Sequence, residues 1–279
     1  MHIPLIQIDA FATQPFEGNP AAVMPLESWL EDGVLQLLAV ENNLSETAFI
    51  VADIPAEAPA FDLSQPAYHL RWFTPAIEVD LCGHATLATA SYLFTDVHPD
   101  AKRLQFWSRS GWLFVERDGD GYILDFPSEM PEPVAVDPSV SEALGVPALE
   151  AFLATDLIHV VRDAETVRNL SPDFGALAKL PVRGVVVTAA GNGTGHDFVS
   201  RFFGARAGID EDPVTGSAHS QLAPLWAGRL GSTVLSARQL SARGGTVLCR
   251  VEGERTLLSG TCVRYLEGTV SLAVGGLAG

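Results

Sequence analysis

The chain has 279 residues, 47% hydrophobic and 18% charged, enough for one large domain or two medium ones with proper cores and too apolar for a disordered chain. Its 34 acidic residues against 17 basic ones leave a net charge of −17, which weighs against nucleic acid and anionic membrane as partners, since both are polyanions. Cys82, Cys249 and Cys262 form no disulfide framework or paired metal-ligand spacing, no signal peptide is read at the start and no apolar run reaches a membrane span, so the expectation is a cytoplasmic protein.

Ile3 to Phe11 alternates as a first strand, and Ala12 to Pro20 reads as a loop. Within it Asn19 offers a donor and an acceptor, either to a ligand or to its own turn. Ser28-Trp29-Leu30-Glu31 has the form of a capping box and predicts a helix to about Asn42, with Leu30, Val34, Leu37 and Leu38 on one face. Asn42 to Ser45 breaks that helix, and Glu46 stands at the mouth of a strand, Thr47–Val51. An acid held there is expected to be partly withdrawn from water, as a proton-transfer residue needs. The same pattern also fits an edge glutamate facing solvent.

After a Pro- and Ala-rich connection, Arg71-Trp72-Phe73-Thr74-Pro75 leads to Asp80, then Cys82-Gly83-His84, then a small-residue run that reads as a buried helix. A glycine at a strand-to-helix turn lets a ligand approach the backbone, and the helix start favours an anion. Strands are expected at Leu104–Ser108, Trp112–Arg117 and Tyr122–Phe126, and a Pro- and acid-rich passage follows near 127–137. Next come a short helix at Ser139–Leu144, strands near Phe152 and at Ile158–Val161, a helix at Pro172–Lys179, and strands at Val185–Ala189 and Asp197–Phe203. Gly191 to Gly195 reads as a hairpin loop. The earlier device then recurs: Arg201-Phe202-Phe203, Asp212 and Gly216 parallel Arg71-Trp72-Phe73, Asp80 and Gly83, and a second buried helix follows. Three strands close the chain near Val247–Val251, Leu257–Tyr265 and Thr269–Val274. Many strands with one buried helix per half predict a sheet wrapped round a helix, not a layered βαβ sheet. Two such helix starts facing one another across a cleft would hold a small anion from both ends.

The chemistry-bearing residues each carry two readings. His84 can bind a carboxylate, shuttle a proton or cap its helix. Asp212 can accept from a substrate or sit favourably at the helix start. Ser217 offers a hydroxyl and an amide together, without the glycine flanks of a nucleophile elbow. Cys82 precedes a helix start, where a thiol can act as an acid or base. A two-base racemase needs a second thiol where the chain reads Asp212-Pro213-Val214-Thr215, so a small buried filler is favoured for Cys82. Lys102 and Lys179 sit in no Schiff-base context.

Four motifs in order, Asp9-Ala10-Phe11 with Gly18-Asn19-Pro20, Asn43-Leu44-Ser45-Glu46-Thr47, Arg71-Trp72-Phe73-Thr74-Pro75 with Cys82-Gly83-His84, and Glu211-Asp212-Pro213-Val214-Thr215-Gly216-Ser217, resemble the PhzF phenazine-biosynthesis-like isomerases over most of the chain. The resemblance implies an α+β, diaminopimelate epimerase-like fold of two pseudo-symmetric halves, 1–127 and 128–267, with the last strand, within 268–279, crossing back to the first. It implies a homodimer, Glu46 as the acid/base, and Asn19, Ser45, Gly83, His84, Asp212, Gly216 and Ser217 around the substrate, with Cys82 a further candidate. Such an isomerase would shift a proton between carbons of a small anionic metabolite and use no cofactor and no metal. The alternatives are a cofactor-independent racemase or epimerase working through Cys82, and a non-catalytic anion-binding protein.

Overall fold

The chain starts as a strand that buries Ile3, Ile6, Ile8 and Ala10. A computed structural model describes residues 1–272 and divides the chain into two compact units. Of the described residues, one comprises 1–16, 20–125 and 260–272, the other 17–19 and 126–259. In chain order the elements are β1 (His2–Ala10), β2 (Asn19–Pro25), α1 (Asp32–Asn42), β3 (Glu46–Val51), β4 (Ala67–Phe73), β5 (Glu78–Val79), α2 (Gly83–Tyr92), β6 (Arg103–Ser108), β7 (Gly111–Asp118) and β8 (Gly121–Pro127). Then follow β9 (Glu132–Val134), α3 (Pro138–Leu144), β10 (Glu150–Leu153), β11 (Leu157–Val160), α4 (Ala164–Arg168), α5 (Phe174–Leu177), β12 (Val185–Ala190), β13 (Phe198–Gly204) and β14 (Ile209–Asp212). The last elements are α6 (Gly216–Leu230), β15 (Val234–Gln239), β16 (Gly245–Glu252), β17 (Arg255–Gly260) and β18 (Cys262–Ser271).

The two units repeat one strand pattern. In the first, β2 runs parallel to β3, β3 antiparallel to β4, β4 parallel to β6, and β6, β7 and β8 form antiparallel hairpins. In the second, β11 runs parallel to β12, β12 antiparallel to β13, β13 parallel to β15, and β15, β16 and β17 continue antiparallel. β18 pairs antiparallel with β1 from His2 to Ala10. In each unit one helix lies inside: His84 to Ala90 are all buried in α2, and Ala218 to Trp226 in α6. Small residues let strands close around these helices. Buried hydroxyls in α2 are satisfied by back-bonding, Thr86 to the Cys82 carbonyl at 2.5 Å and Thr89 to the Ala85 carbonyl at 2.7 Å. Pro224 inside α6 frees the Ser220 carbonyl, which accepts from the Glu129 N–H at 3.2 Å instead.

Several local expectations change. α1 starts at Asp32 with Glu31 as N-cap and no side-chain cap, so the Ser28–Glu31 box does not form. Its buried face is Leu35, Leu38 and Ala39, while Leu37 is exposed. The loop expected to reach Pro20 ends at Asn19, where β2 begins despite Pro20, and β14 and β15 carry no sequence signal strong enough to be read. The helix expected at Pro172–Lys179 shortens to α5, capped by Asp173, with a separate α4 before it, capped by Asp163. The run Leu257–Tyr265 breaks at Thr261 into β17 and β18, and β18 continues through residue 271. The strand expected at Thr269–Val274 lies partly outside the described residues, as do residues 273–279.

Candidate active site

The first cluster forms where α1 hands the chain to β3. Asn43 closes α1 in the left-handed region at φ 48°, a conformation Asn tolerates, and three residues later Glu46 begins β3. Glu46 Oε2 lies 2.9 Å from His84 Nε2, and the two side chains are 12% and 5% exposed. Ser45, half-buried, immediately precedes it. Cys82 is the N-cap of α2 and Gly83 its first residue, so His84 is held in the first turn, where helix N–H groups lack partners within the helix. Cys82 Sγ sits 3.6 Å from His84 Nδ1.

Electrostatics sort these groups. Burial pushes the Cys82 thiol up to about 11, the Glu46 carboxylate adds to the rise, and the imidazole only partly offsets it. Burial disfavours the charged His84 imidazole, yet the negative forms of Cys82 and Glu46 outweigh burial and raise it well above its ordinary value. At neutral pH Cys82 is a thiol. Glu46, Cys82 and His84 place a carboxylate oxygen, a sulfur and a ring nitrogen all within 4.8 Å of one another, the one donor set among the described residues close enough for a metal ion to bridge. The hydrogen-bond distance between Glu46 and His84 makes an ion pair the direct description.

The second cluster surrounds the start of α6. Asn19 Nδ2 donates to Asp212 Oδ1 at 2.7 Å and to the Val214 carbonyl at 3.0 Å. The Thr215 hydroxyl donates to Asp212 Oδ2, and Gln239 accepts from the Thr215 N–H at 3.0 Å while donating to the Asp212 carbonyl at 2.7 Å. Asp212 therefore fixes the loop that ends in Gly216. Ser217, half-buried, is the second residue of the helix and accepts from Arg183 Nη2 at 3.0 Å. His219, fully buried, is bonded through Nδ1 to the Thr215 carbonyl at 2.8 Å, and burial lowers it to about 4, so it stays neutral.

Strand register aligns the two clusters residue by residue. β4 pairs Phe73 with Thr47, and β13 pairs Phe203 with Val185. Because Arg71-Trp72-Phe73 matches Arg201-Phe202-Phe203, Glu46 corresponds to Gly184, Ser45 to Arg183, Cys82 to Thr215 and His84 to Ser217. The matched arginines do the same work. Arg71 grips Glu78 at 2.7 and 2.8 Å, and Arg201 grips Glu211 at 2.6 and 2.9 Å. Each guanidinium lies 5.1 Å from the ring of Phe73 or Phe203. Glu78 and Glu211 are therefore the equivalent acids. The expected match of Asp80 with Asp212 fails, since Asp80 is 77% exposed and only 3.7 Å from Arg109. The structure thus brings Glu46, Cys82, Gly83 and His84 together in one unit and Asn19, Asp212, Gly216 and Ser217 in the other. Arg183 escaped the sequence reading. Aligning the two strand starts, Ser45-Glu46 against Arg183-Gly184, is the signal that could have found it.

A sequence model of the phenazine biosynthesis-like PhzC-PhzF proteins matches residues 8–268. A Pseudomonas aeruginosa protein called an uncharacterised isomerase is 50% identical over 272 residues, covering 98% of this chain and 100% of its own. The crystal structure of a PhzF-family phenazine biosynthesis protein from Enterococcus faecalis matches with a TM-score of 0.90 at 46% identity, covering 98% of this chain and 100% of that one. A hydroxyproline epimerase from Agrobacterium vitis, 11% identical, matches with a TM-score of 0.61 over 97% of this chain and 93% of that one, which speaks to the fold alone. The fold is the α+β, epimerase-like one, with two related units that each set a mixed sheet around a central helix.

Proposed function

The chain belongs to the phenazine biosynthesis-like PhzC-PhzF family, and from that premise we propose that it is an isomerase that moves a proton between carbons of a small carboxylate-bearing metabolite. The observation that carries this reading is the Glu46–His84 pair, a carboxylate at hydrogen-bond distance from an imidazole whose charged form it stabilises, at the start of a buried helix. The pair holds the Glu46 carboxylate in a fixed place beside the start of α2. Glu46 takes a proton from one substrate carbon, the C–H electron pair moves into the substrate's π system, and the Glu46 carboxyl, whose proton exchanges with water while it is held, returns a proton to another carbon of that system. Helix N–H groups at Gly83 and His84 stabilise the developing negative charge. Asn19 and Asp212 hold the second glycine turn in shape, so that Gly216 and Ser217 present amides and a hydroxyl to the substrate.

Racemisation through Cys82 is the weaker reading. That thiol is pushed up to about 11, and its counterpart in the second unit is Thr215. The proton-shift reading is tested by incubating unsaturated and saturated carboxylic acids with the protein in heavy water and following carbon-bound deuterium by mass spectrometry. Deuterium with migration of a double bond supports it. Exchange at an α-carbon with inversion and no migration would move the assignment to racemase, and the absence of any exchange across such a panel would leave a binding protein.

A further inference from the structure

Arg183 has no part in the proton step, yet its surroundings are built to fix it. Asp156, with no solvent exposure, takes its Nε at Oδ1 at 2.9 Å and its Nη2 at Oδ2. Asp156 is itself fixed by Gln221, whose Nε2 donates to Oδ2 at 2.7 Å and whose Oε1 accepts the Asp156 N–H at 3.0 Å. The guanidinium lies 5.7 Å from the Phe202 ring. A Cβ at Gly184 would run into that ring and come within 3.2 Å of Asp156, so the glycine lets strand β12 start tight against the pair. Arg183 spends its remaining Nη2 hydrogen on Ser217 Oγ at 3.0 Å. Among the described residues Nη1 makes no hydrogen bond, and neither does the Ser217 hydroxyl as a donor. The arginine side chain is 45% exposed.

A hydroxyl that accepts from a guanidinium must turn its own hydrogen elsewhere. Chains of hydrogen bonds also polarise one another, which makes that hydrogen a better donor. We infer that Arg183 is a positioning residue that makes Ser217 an obligatory donor and, with its unspent Nη1 group, selects a carboxylate over an amide or an amine at the start of α6. This rests on the reading that Ser217 contacts substrate, and it narrows the substrate to one that offers an acidic acceptor there. The two strand starts differ here: Ser45 and Glu46 stand in the first unit, with Glu46 on His84, where the second unit has Arg183 and Gly184, with Arg183 on Ser217.

The probes are benzoate, benzamide and benzylammonium, titrated into the 15N-labelled full chain and read at the Ser217 amide. Wild type is expected to prefer benzoate and to show no benzylammonium shift. In Arg183→Gln, benzoate affinity should fall about tenfold or more, and the benzoate-to-benzamide ratio should fall with it, because a charge-assisted donor is gone. Arg183→Lys should recover part of the ratio. Ser217→Ala leaves the Arg183–Asp156 pair intact and should lower affinity for both probes, so the test survives poor folding of Arg183→Gln. A benzoate-to-benzamide ratio unchanged in folded Arg183→Gln, or no benzoate shift at Ser217 in wild type, overturns the inference. Deuterium migration at carbon is a separate readout, so failure here leaves the isomerase reading to stand or fall on its own.

Discussion

At the start of α2 every crowded side chain titrates: a carboxylate, an imidazole and a thiol meet within 4.8 Å. At the start of α6 the corresponding places hold Arg183 and Gly184 on the strand side and Thr215 and Ser217 on the helix side, with the Arg183–Asp156 pair and a hydrogen-bond network in place of the carboxylate–imidazole pair. The scaffold is the same down to the arginine–glutamate clamps, Arg71–Glu78 and Arg201–Glu211. The difference teaches that repeating a fold need not repeat its chemistry. A carboxylate, an imidazole and a thiol crowd one copy, while a clamped guanidinium and two hydroxyls take the corresponding places in the other.

The largest effect expected from breaking this contrast comes from Glu46→Gln, which keeps the shape and removes the base. Deuterium incorporation at carbon should drop by roughly 10²- to 10⁴-fold while the circular dichroism spectrum is unchanged. Incorporation at the wild-type rate would transfer the proton step to another group. Next comes pH. His84 is raised by its partners, so the ion pair's contribution to stability is fully present below the ordinary imidazole value and is lost as pH climbs through the raised folded value. Melting temperatures of wild type and His84→Gln should therefore converge between neutral and alkaline pH, with turnover declining over the same range. A constant gap would mean that the pair is not ionised.

Smaller effects test the second copy and the thiol. Asn19→Ala removes the donor shared by Asp212 and the Val214 carbonyl, and should destabilise the protein by about 1–3 kcal/mol in urea unfolding. Substrate affinity should suffer more than the chemical step. Cys82→Ala is expected to change least, with turnover near wild type and about 1 kcal/mol of stability lost. Iodoacetamide at pH 7.5 should label Cys82 slowly, since its thiol is pushed up to about 11. Rapid labelling that abolishes activity would revive the racemase reading.

Much of this was legible before any coordinates, because glycine at a strand-to-helix turn and an acid at a strand mouth are local patterns. Glu46, His84 and Gly216 fall into that class. The Asp80–Asp212 parallel misled because it tolerates unequal spacing: Asp80 stands three residues before Gly83 and Asp212 four before Gly216, whereas Glu78 and Glu211 each stand five before. That equal spacing and the matching arginine clamps mark Glu78 and Glu211 as the matched pair. β2 was hidden by Pro20 at its second position, and β15 by the Ser-Ala-Arg-Gln run within it. Arg183 was hidden because its meaning depends on Asp156 and Ser217, which lie 27 and 34 residues away.

The pairing of β1 with β18 also sets an order of events during synthesis. The strand at residues 2–10 waits for partners at residues 262–271, so one of its edges stays open until nearly the whole chain has left the ribosome. Residues 126–259, by contrast, supply nearly all of the second unit in one continuous stretch. The unit that carries Asp212, Gly216 and Ser217 is thus able to mature first, and the unit that carries Glu46 and His84 is completed last.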